Sequence, residues 1–523
     1  MILGETLNKA HRLYLSKRAI VCGGHRWTYG EFFDRISRLA CFLIGSGIGH
    51  ERKIAILHPN CHYFLETYHA AALIGAVCVP INCRLSPPEI AYILNHSESK
   101  LLVVDPMFKA QVDAVRKEIP GVERILWTGE GVDTDLNYDD VLARQAGSGQ
   151  PESIPIMPED TAQIYYTSGT TGHPKGVMLS HKNVYVHALG TIAELHLTDK
   201  DVWVHVAPLF HLADAWATWA ITWVGGTHVI VRDFEPKTVF ATIEREKVTI
   251  TNLVPTMLNL MVNHEDVGDY DYRSLRVLLS GGAPIAPEIV RKIVEVFRCD
   301  YVQTYGMTET SPYLALSLLK DHLRKLPDEE QLRFKAKTGR EFIAVEVRVV
   351  NDEGEAVAPD EREVGEIIVK GDIVTTGYWK SPEETQKAIK DGWLYTGDMA
   401  IIDIEGYVTI VDRKKDMILT GGENVYSTEV ENILYMHPAI LECAVIGVPD
   451  QKWGEAVRAV AVLKPGRQAS ETEIIGFCKD RMAHFKAPKS VELIEALPKT
   501  GSGKIQKKEL RDRYWKGHAK KVQ

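Results

Sequence analysis

The feature of this sequence that most restricts its fold is a repeated alternation of short apolar runs with helical segments. Near the amino terminus a strand-like run at 53–57 precedes an apolar helical segment at 64–74 and a second run at 77–81. The same order returns mid-chain, where apolar runs at 202–207 and 227–231 flank a helical segment. Strands that alternate with helices form parallel sheets covered on both faces. The sequence therefore predicts an α/β fold of doubly wound sheets.

Chain length and a change of pattern predict two domains. The chain has 523 residues, more than one hydrophobic core usually sustains. From Val345 the predicted strands shorten and lie closer together, which indicates a small β subdomain. A dense charged segment at 412–416 is followed by a new α+β pattern. We therefore expect a large N-terminal domain over residues 1–412 and a small C-terminal α+β domain over 413–523.

Charge and cysteine usage exclude several classes of protein. The formal net charge is −9, so a broad cationic face for nucleic acid is not expected. The eight cysteines are scattered without C-x-x-C pairs, which is typical of reduced thiols in a cytoplasmic protein. The first residues, Met1 to Glu5, lack the apolar core of a signal peptide. The longest apolar run, at 212–224, is shorter than the roughly 20 residues that a membrane span needs, so it is expected to be buried helix.

A glycine- and hydroxyl-rich segment lies between two apolar runs, at 164–166 and 177–179. Such a loop offers free backbone N–H groups, hydroxyls and one ammonium, which suit the oxygens of a polyphosphate. Gly172 and Lys175 are separated by His173 and Pro174, a spacing that excludes the Walker P-loop. A surface hairpin is the structural alternative. The candidate phosphate ligands are Thr167, Ser168, Gly169, Thr170, Thr171, Gly172 and Lys175.

The twelve residues from Tyr166 to Val177 resemble the signature of the superfamily of AMP-forming acyl-CoA synthetases, peptide-synthetase adenylation domains and luciferases. The segment 304–310 is similar to its second signature and 498–505 to its last. The match runs in order from about residue 28 to 512 and is closest to carboxylate–CoA ligases of the fatty-acid and aryl-acid type. The resemblance implies an N-terminal adenylate-forming domain for ATP and acid, and a mobile C-terminal domain that carries a catalytic lysine.

The resemblance implies a nucleotide site. Within it Tyr305 stacks on adenine, Thr308 contacts the α-phosphate and Glu309 holds Mg²⁺, for which a carboxylate oxygen is a suitable ligand. Asp398 and Arg413 match the ribose-binding pair, because a carboxylate can accept hydrogen bonds from a ribose diol. Taken alone, Glu309 could instead be a helix-capping acid. The implied nucleotide-binding residues are Gly282, Ala283, Pro284, Tyr305, Gly306, Met307, Thr308, Asp398 and Arg413.

The catalytic residues implied by the resemblance are Lys504, His211, Thr170 and Glu309. An ammonium on a glycine-rich loop can cover the substrate carboxylate and the α-phosphate while charge moves between them, which is the role implied for Lys504. His211 matches a histidine that lies where acyl group and thiol meet. A core histidine, or a metal ligand paired with His205, are alternatives, although no third ligand at sensible spacing accompanies that pair.

Three further features carry roles only through the resemblance. Lys415 falls at the hinge about which the small domain swings. The loop residues Gly421, Gly422 and Glu423 line the tunnel for the CoA thiol after that swing. Trp216 begins a helical stripe of tryptophans that is more often core than pocket. If Trp216 caps the acyl cavity, the acid is short or medium-chain, branched, cyclic or aryl.

These features predict an AMP-forming carboxylate–CoA ligase, which converts ATP, a small-molecule carboxylic acid and CoA into acyl-CoA, AMP and pyrophosphate through an acyl-adenylate. The energetics also allow the reverse direction. The expected cofactors are ATP, CoA and Mg²⁺, and a homodimer is an expected assembly. One alternative is an adenylating enzyme that loads a carrier protein or another acceptor. A second is a non-catalytic acyl- or nucleotide-binding protein, which the intact Lys175, Glu309, Asp398 and Lys504 oppose.

Overall fold

Three sheets and the helices that cover them make up the fold. The computed structural model describes residues 1–129, 136–151, 154–167, 174–283, 285–414, 416–501 and 503–516. In these residues one sheet has 14 strands, a second has seven and a third has five. The mixed α/β architecture predicted from the alternation of strands and helices is confirmed.

The strands of the described residues, in chain order, are β1 (Arg18–Cys22), β2 (His25–Thr28), β3 (Lys53–Leu57), β4 (Val77–Ile81), β5 (Leu101–Val104), β6 (Arg124–Trp127), β7 (Thr161–Thr167), β8 (Lys175–Ser180), β9 (Val202–His205), β10 (Thr227–Ile230), β11 (Ile250–Leu253), β12 (Val277–Gly281), β13 (Asp300–Gly306), β14 (Tyr313–Leu316), β15 (Gly339–Glu341), β16 (Val345–Val350), β17 (Gly365–Gly371), β18 (Gly377–Tyr378), β19 (Ile389–Lys390), β20 (Trp393–Ile402), β21 (Tyr407–Arg413), β22 (Ile418–Thr420), β23 (Glu423–Val425), β24 (Ile440–Asp450), β25 (Gly454–Leu463) and β26 (Ser490–Leu493).

The α-helices of the same residues are α1 (Gly4–Tyr14), α2 (Tyr29–Gly45), α3 (His62–Leu73), α4 (Pro87–Ser97), α5 (Lys109–Val115), α6 (Tyr138–Arg144), α7 (His181–Glu194), α8 (Leu212–Ala215), α9 (Ala217–Val224), α10 (Pro236–Glu246), α11 (Pro255–Val262), α12 (Pro287–Phe297), α13 (Asp328–Lys335), α14 (Pro382–Ala388), α15 (Ser427–Tyr435), α16 (Glu471–Lys479) and α17 (Lys507–Trp515).

Parallel strands form the centre of each of the two large sheets. The 14-stranded sheet contains the parallel series β1, β10, β9, β11, β12 and β13, and the seven-stranded sheet contains β7, β4, β3, β5 and β6. Helices follow these strands and cover both faces, and most strand residues are accordingly buried, as in β3 and β4. The predicted doubly wound pattern is therefore present in both halves of the N-terminal region.

Antiparallel strands extend both large sheets. In the 14-stranded sheet, β14 and β15 join the parallel series to β21, β20, β17 and β16. The strands expected to form a small β subdomain after Val345 are thus continuous with the large sheet through the pairing of β15 with β21. In the seven-stranded sheet, β8 runs antiparallel to β7 and β18 runs antiparallel to β8. The predicted pair of strands around the glycine-rich segment is confirmed.

Local sequence signals account for several helix starts. The hydroxyl of Thr28 accepts a hydrogen bond from the backbone N–H of Glu31, whose carboxylate accepts one from the N–H of Thr28 at 2.8 Å. This capping box starts α2, whose buried face includes Phe32, Ile36 and Leu39. The apolar run at 212–224 forms two buried helices, α8 and α9, rather than one. None of the helices in the described part of the chain combines the length and apolar character needed to cross a membrane.

The C-terminal region contacts the N-terminal one at several points. The Thr256 hydroxyl donates a hydrogen bond to the carbonyl of Gly503 at 3.1 Å, and the Asn259 amide donates one to the carbonyl of Leu441 at 2.7 Å. The carboxylate of Asp412, in β21, accepts a hydrogen bond from the backbone N–H of Ser427 at 2.6 Å, where α15 begins. The domain boundary at 412/413 remains a prediction, because these contacts cross it without locating it.

Candidate active site

The candidate site lies where parallel strands of the 14-stranded sheet end. Gly281 ends β12 and Gly306 ends β13, so Gly282 and Tyr305 both lie at the carboxyl edge, where open α/β sheets bind ligands. Gly282 has a φ of +90°, and a Cβ at this position would lie 2.9 Å from Cε of Lys504. A glycine is therefore required here on two counts, backbone conformation and the close approach of the lysine.

Lys504 reaches this edge from the C-terminal region. The Thr500 hydroxyl accepts a hydrogen bond from its backbone N–H at 3.1 Å, and the preceding Gly503 is held by Thr256. Burial, and then the charge of nearby Arg413, lower the pKa of the Lys504 ammonium, the carboxylates of Asp398 and Glu309 oppose this decrease, and the resulting pKa is about 8. The structure thus brings Lys504, Asp398, Arg413 and Glu309 within electrostatic reach of one another.

A hydrogen bond and an ion pair connect Tyr305, Asp398 and Arg413. The Tyr305 hydroxyl donates to Oδ2 of Asp398 at 2.7 Å, and Nε of Arg413 lies 3.3 Å from Oδ1 of the same carboxylate. Asp398 and Arg413 are direct cross-strand partners on β20 and β21. Burial and the adjacent carboxylate raise the pKa of Tyr305, which keeps the phenol protonated. The two residues predicted as a ribose pair therefore share one site.

Glu309 lies in a short turn after β13 and is buried. Its Oε1 accepts a hydrogen bond from the Tyr378 hydroxyl at 2.9 Å. Burial raises the pKa of the Glu309 carboxyl, while that hydrogen bond and the charge of Lys175 oppose the increase. Tyr378 thus holds one carboxylate oxygen of Glu309 in place. The buried carboxylate attracts positively charged groups.

Lys175 opens β8, directly after the glycine-rich segment. Its ammonium forms an ion pair with Oε2 of Glu384 on α14 and lies 5.4 Å from the ring centroid of Tyr378. Tyr378 therefore lies between the lysine and Glu309. Neither Tyr378 nor Glu384 was predicted from the sequence, because the pairing of β18 with β8 joins residues some 200 positions apart.

His211 precedes α8 and caps it, since its Nδ1 accepts a hydrogen bond from the N–H of Ala213 at 3.1 Å. Burial, followed by the charge of Lys504, lowers the pKa of His211 to about 3, so its imidazole is neutral at physiological pH. His205 is engaged elsewhere, with Asp214 at 2.7 Å and His228 at 2.9 Å. Among the residues that the structure describes, no cluster of three metal-binding side chains is present.

Trp216 lies one turn beyond His211 and is fully buried. Its Nε1 donates to the carbonyl of Ala213 at 3.0 Å and to the Tyr313 hydroxyl at 2.9 Å, and its ring packs against Trp203 at a centroid distance of 5.0 Å. Trp216 is thus part of a rigid aromatic cluster next to the site. The other two tryptophans of the stripe, Trp219 and Trp223, are buried as well.

Other predicted residues occupy the edges of this region or lie elsewhere. Thr167 ends β7, the carbonyl of Ala283 accepts a hydrogen bond from Gln303 at 3.1 Å, and Met307 and Thr308 lie at the turn that carries Glu309. Gly421 and Gly422 have φ values of +62° and +88° in the turn before Glu423, and the backbone N–H of Gly421 donates a hydrogen bond at 2.8 Å to the carbonyl of Trp453, in the turn between β24 and β25. Seven predicted site residues lie outside the described residues, namely Ser168, Gly169, Thr170, Thr171, Gly172, Pro284 and Lys415.

Comparison with known proteins assigns the family. Residues 7–379 match the AMP-binding enzyme family, and residues 429–504 match the AMP-binding enzyme C-terminal domain. The fold superposes on the anthranilate CoA ligase AuaEII in complex with anthranoyl-AMP with a TM-score of 0.89 and 26% identity, over 98% of this chain and 97% of that one. The chain belongs to the AMP-binding enzyme family.

Curated relatives narrow the class. The 4-hydroxybutyrate–CoA ligase 2 of Metallosphaera sedula is 35% identical and covers 97% of this chain and 93% of its own length. The feruloyl-CoA synthase of an Amycolatopsis species is 37% identical and covers 98% of this chain and 99% of its own. This protein is an AMP-forming carboxylate–CoA ligase, with a carboxylic acid, ATP and CoA as substrates. The alternatives of a carrier-loading enzyme and a non-catalytic binding protein find no support among these relatives.

Proposed function

We propose that the cluster around Lys504 carries out the first half-reaction of this ligase, in which an acid and ATP give an acyl-adenylate and pyrophosphate. The observation that carries the proposal is the position of the Lys504 ammonium, packed on Gly282 and facing Asp398, Arg413 and Glu309. A carboxylate is a poor electrophile, because oxide is a bad leaving group. In the acyl-adenylate the leaving group is AMP, which is a good one. The negative charge that collects at the α-phosphate during this step needs a fixed cation.

In this proposal each side chain has a distinct task. The carboxylate of the acid attacks the α-phosphate, and Lys504 donates hydrogen bonds to the acid and to an α-phosphate oxygen, with Thr308 beside it. Lys175 and Thr167 hold the leaving pyrophosphate, together with residues of the loop outside the described part. The pair Asp398 and Arg413 fixes the ribose, and the ring of Tyr305 supports the adenine.

Glu309 fits the role of a Mg²⁺ ligand. Mg²⁺ is commonly held by one or two carboxylates together with substrate phosphates, so a single buried carboxylate is an adequate protein ligand. When bound, the ion neutralises phosphate charge. The hydrogen bond from Tyr378 holds one carboxylate oxygen of Glu309 in place.

The second half-reaction transfers the acyl group to the CoA thiol. His211 is neutral, so it can contact the acyl carboxylate without holding a fixed positive charge there. We propose that the small domain, taken as 413–523, reorients about Lys415 and brings Gly421, Gly422 and Glu423 to the thiol channel. The domain boundary, the hinge and this loop are carried over from the family resemblance.

The substrate acid is proposed to be compact. Trp216 is locked by two hydrogen bonds and by Trp203, so a wall built on it cannot move aside for a long chain. Two relatives are named for a short or an aromatic acid, 4-hydroxybutyrate and ferulate, whereas a third is named a long-chain-fatty-acid–CoA ligase, so the proposal depends on Trp216. We propose a cytoplasmic location, and the eight unpaired cysteines are compatible with it. The homodimer remains a prediction.

Two experiments test the proposed function. Pyrophosphate release over a panel of short, branched, cyclic, aromatic and long-chain acids identifies the substrate, and faster turnover of long straight chains would remove the compact-acid proposal.

Lys504→Ala is expected to slow acyl-adenylate formation by about 100-fold or more, roughly 3 kcal/mol, with thioester formation from supplied acyl-adenylate nearly unchanged. Lys508→Ala, at an exposed position nearby, is the control. Equal loss in both half-reactions contradicts the role given to Lys504.

A further inference from the structure

Helix α14 is fixed beside the start of β8. The two residues of β18 pair with β8, Gly377 opposite Met178 and Tyr378 opposite Val177, and the chain then turns into α14. The hydroxyl of Thr385, on α14, accepts a hydrogen bond from the N–H of Tyr378 at 3.0 Å. A Cβ on Gly377 would lie 2.6 Å from the Thr385 side chain, so helix and strand are in direct contact. The first turn of α14 is therefore held in place relative to Lys175.

Glu384 on this helix is shared between two lysines. Its Oε2 pairs with Nζ of Lys175, and its Oε1 accepts a hydrogen bond from Nζ of Lys387 at 2.8 Å. The side chains of Lys175 and Glu384 are 18% and 25% exposed, whereas that of Lys387 is 70% exposed. Hydrogen bonds from the two lysines lower the pKa of the Glu384 carboxyl to about 2, so it is an anion at physiological pH.

Lys175 is also linked, through Tyr378, to Glu309. Its ammonium lies over the ring of Tyr378, whose hydroxyl donates to Glu309. Tyr378, Lys175 and Glu384 thus form one connected group between Glu309 and the surface of α14. An anion that takes up the Lys175 ammonium must compete with Glu384 for it, because an ammonium is a compact charge with only three donors.

We propose that Glu384 is a positioning residue that acts as an exchangeable counter-ion for Lys175: it holds the ammonium in place and yields it to the β- and γ-phosphate oxygens of ATP, then competes for it again as pyrophosphate leaves. This inference rests on the proposed role of Lys175 as a pyrophosphate ligand. Lys387 makes the exchange feasible, since it keeps the carboxylate paired when Lys175 turns to phosphate. No covalent step is involved.

The test compares Glu384→Gln with Glu383→Gln in the full-length protein. Glu383 is the adjacent residue of α14, so its variant removes the same charge from the same helix turn, while only Glu384 pairs with Lys175 among the contacts described. Dissociation constants are measured for Mg·ATP without acid, for pyrophosphate and for AMP. With Glu384→Gln, Mg·ATP and pyrophosphate are expected to bind about fivefold more tightly, the upper range for a partly exposed ion pair.

AMP separates this role from a general effect on the site. AMP lacks the β- and γ-phosphates, so its affinity is expected to be unchanged in Glu384→Gln, and Glu383→Gln is expected to change none of the three affinities by as much. A structural defect would weaken all three ligands. Weaker or unchanged binding of pyrophosphate in Glu384→Gln overturns the inference, as does an equal gain for AMP or for the Glu383→Gln control.

Lys175→Ala distinguishes failure of the inference from failure of the proposed function. If Lys175 binds pyrophosphate, this variant weakens Mg·ATP and pyrophosphate, and adding Glu384→Gln to it gives no further gain, because the competing pair no longer exists. If Lys175→Ala leaves both affinities unchanged, the role of Lys175 is wrong and the inference falls with it. If Lys175→Ala weakens both and Glu384→Gln does not tighten them, only the counter-ion role is wrong.

Discussion

The Lys504 ammonium lies in a half-buried position, and the proposed activity depends on whether it is protonated. Burial and Arg413 lower the pKa of its ammonium from an ordinary 10.5 to about 8. The charged form therefore predominates below pH 8 and is lost above it. Since the proposed role needs the ammonium, kcat/KM for acyl-adenylate formation is expected to be level below pH 8 and to fall tenfold per pH unit above it. Pyrophosphate release from the first half-reaction measures this profile.

The control for that profile is Lys504→Arg. A guanidinium stays charged over the whole range, so this variant is expected to show lower activity, because its donors are arranged differently, but no fall above pH 8. An unchanged alkaline fall in Lys504→Arg would assign the titration to another group.

Most single residues of this site could be predicted from the signature segments. Tyr378 and Glu384 could not, since their positions depend on strand pairing that short-range sequence patterns leave open.

At the scale of elements, a buried ionic cluster joins α2, α3 and α6. The carboxylate of Glu66, on α3, lies 2.7 Å from Arg35 Nε and 3.0 Å from Nδ1 of His62, and it accepts a hydrogen bond from the Tyr138 hydroxyl at 2.9 Å. Burial alone would raise the pKa of Glu66, but His62 and Arg35 lower it to about 2. The cluster therefore stabilises the packing of these helices as long as Glu66 is ionised.

Glu66→Gln is expected to destabilise the protein by about 3 kcal/mol at pH 7, since it leaves Arg35 without its buried partner. Because the folded pKa is depressed, the stabilisation is complete above the ordinary value of 4.5 and is lost as pH falls towards 2. Thermal unfolding of both proteins should show a difference in Tm that is constant near neutrality and narrows below pH 4.5. Asp113→Asn, in the exposed pair with Lys109, should cost well under about 1 kcal/mol. A similar loss in both variants would contradict the argument.

The elements themselves were largely predictable, because apolar periodicity and capping residues are local. The strands β3, β4 and β9 and the start of α2 follow from such signals. The ionic cluster was not predictable, because Arg35, Glu66 and Tyr138 come into contact only when α2, α3 and α6 pack together. The same limit applies to the continuity of the β strands after Val345 with the large sheet, since the pairing of β15 with β21 is a long-range contact.

At the scale of the whole molecule, the position of Lys504 depends on how the C-terminal region rests on the N-terminal one. Asn259 of α11 supports this placement through its hydrogen bond to Leu441. Asn259→Ala is expected to slow acyl-adenylate formation by about fivefold, the effect of one lost hydrogen bond, and to leave thioester formation from supplied acyl-adenylate unchanged. The exposed Leu260 on the same helix gives the control, Leu260→Ala. An equal slowing of both half-reactions would show that α11 acts on the fold rather than on this placement.

The existence of two regions could be expected from length, but their mutual placement could not. Contacts such as those of Thr256 with Gly503 join backbone groups to side chains and leave no pattern in the sequence. The packing of Lys504 against Gly282 could not be predicted either, because a glycine at this position is equally typical of an ordinary turn.

The end of β21 has a consequence for how binding is communicated. Arg413 contacts Asp398, whereas the preceding Asp412 holds the first turn of α15 through Ser427. Neighbouring residues of a strand face opposite ways, so one planar peptide unit separates the side proposed to face the ribose from the anchor of α15. If Arg413 and Asp398 bind the ribose as proposed, a shift of this peptide unit on binding would act directly on the first turn of α15.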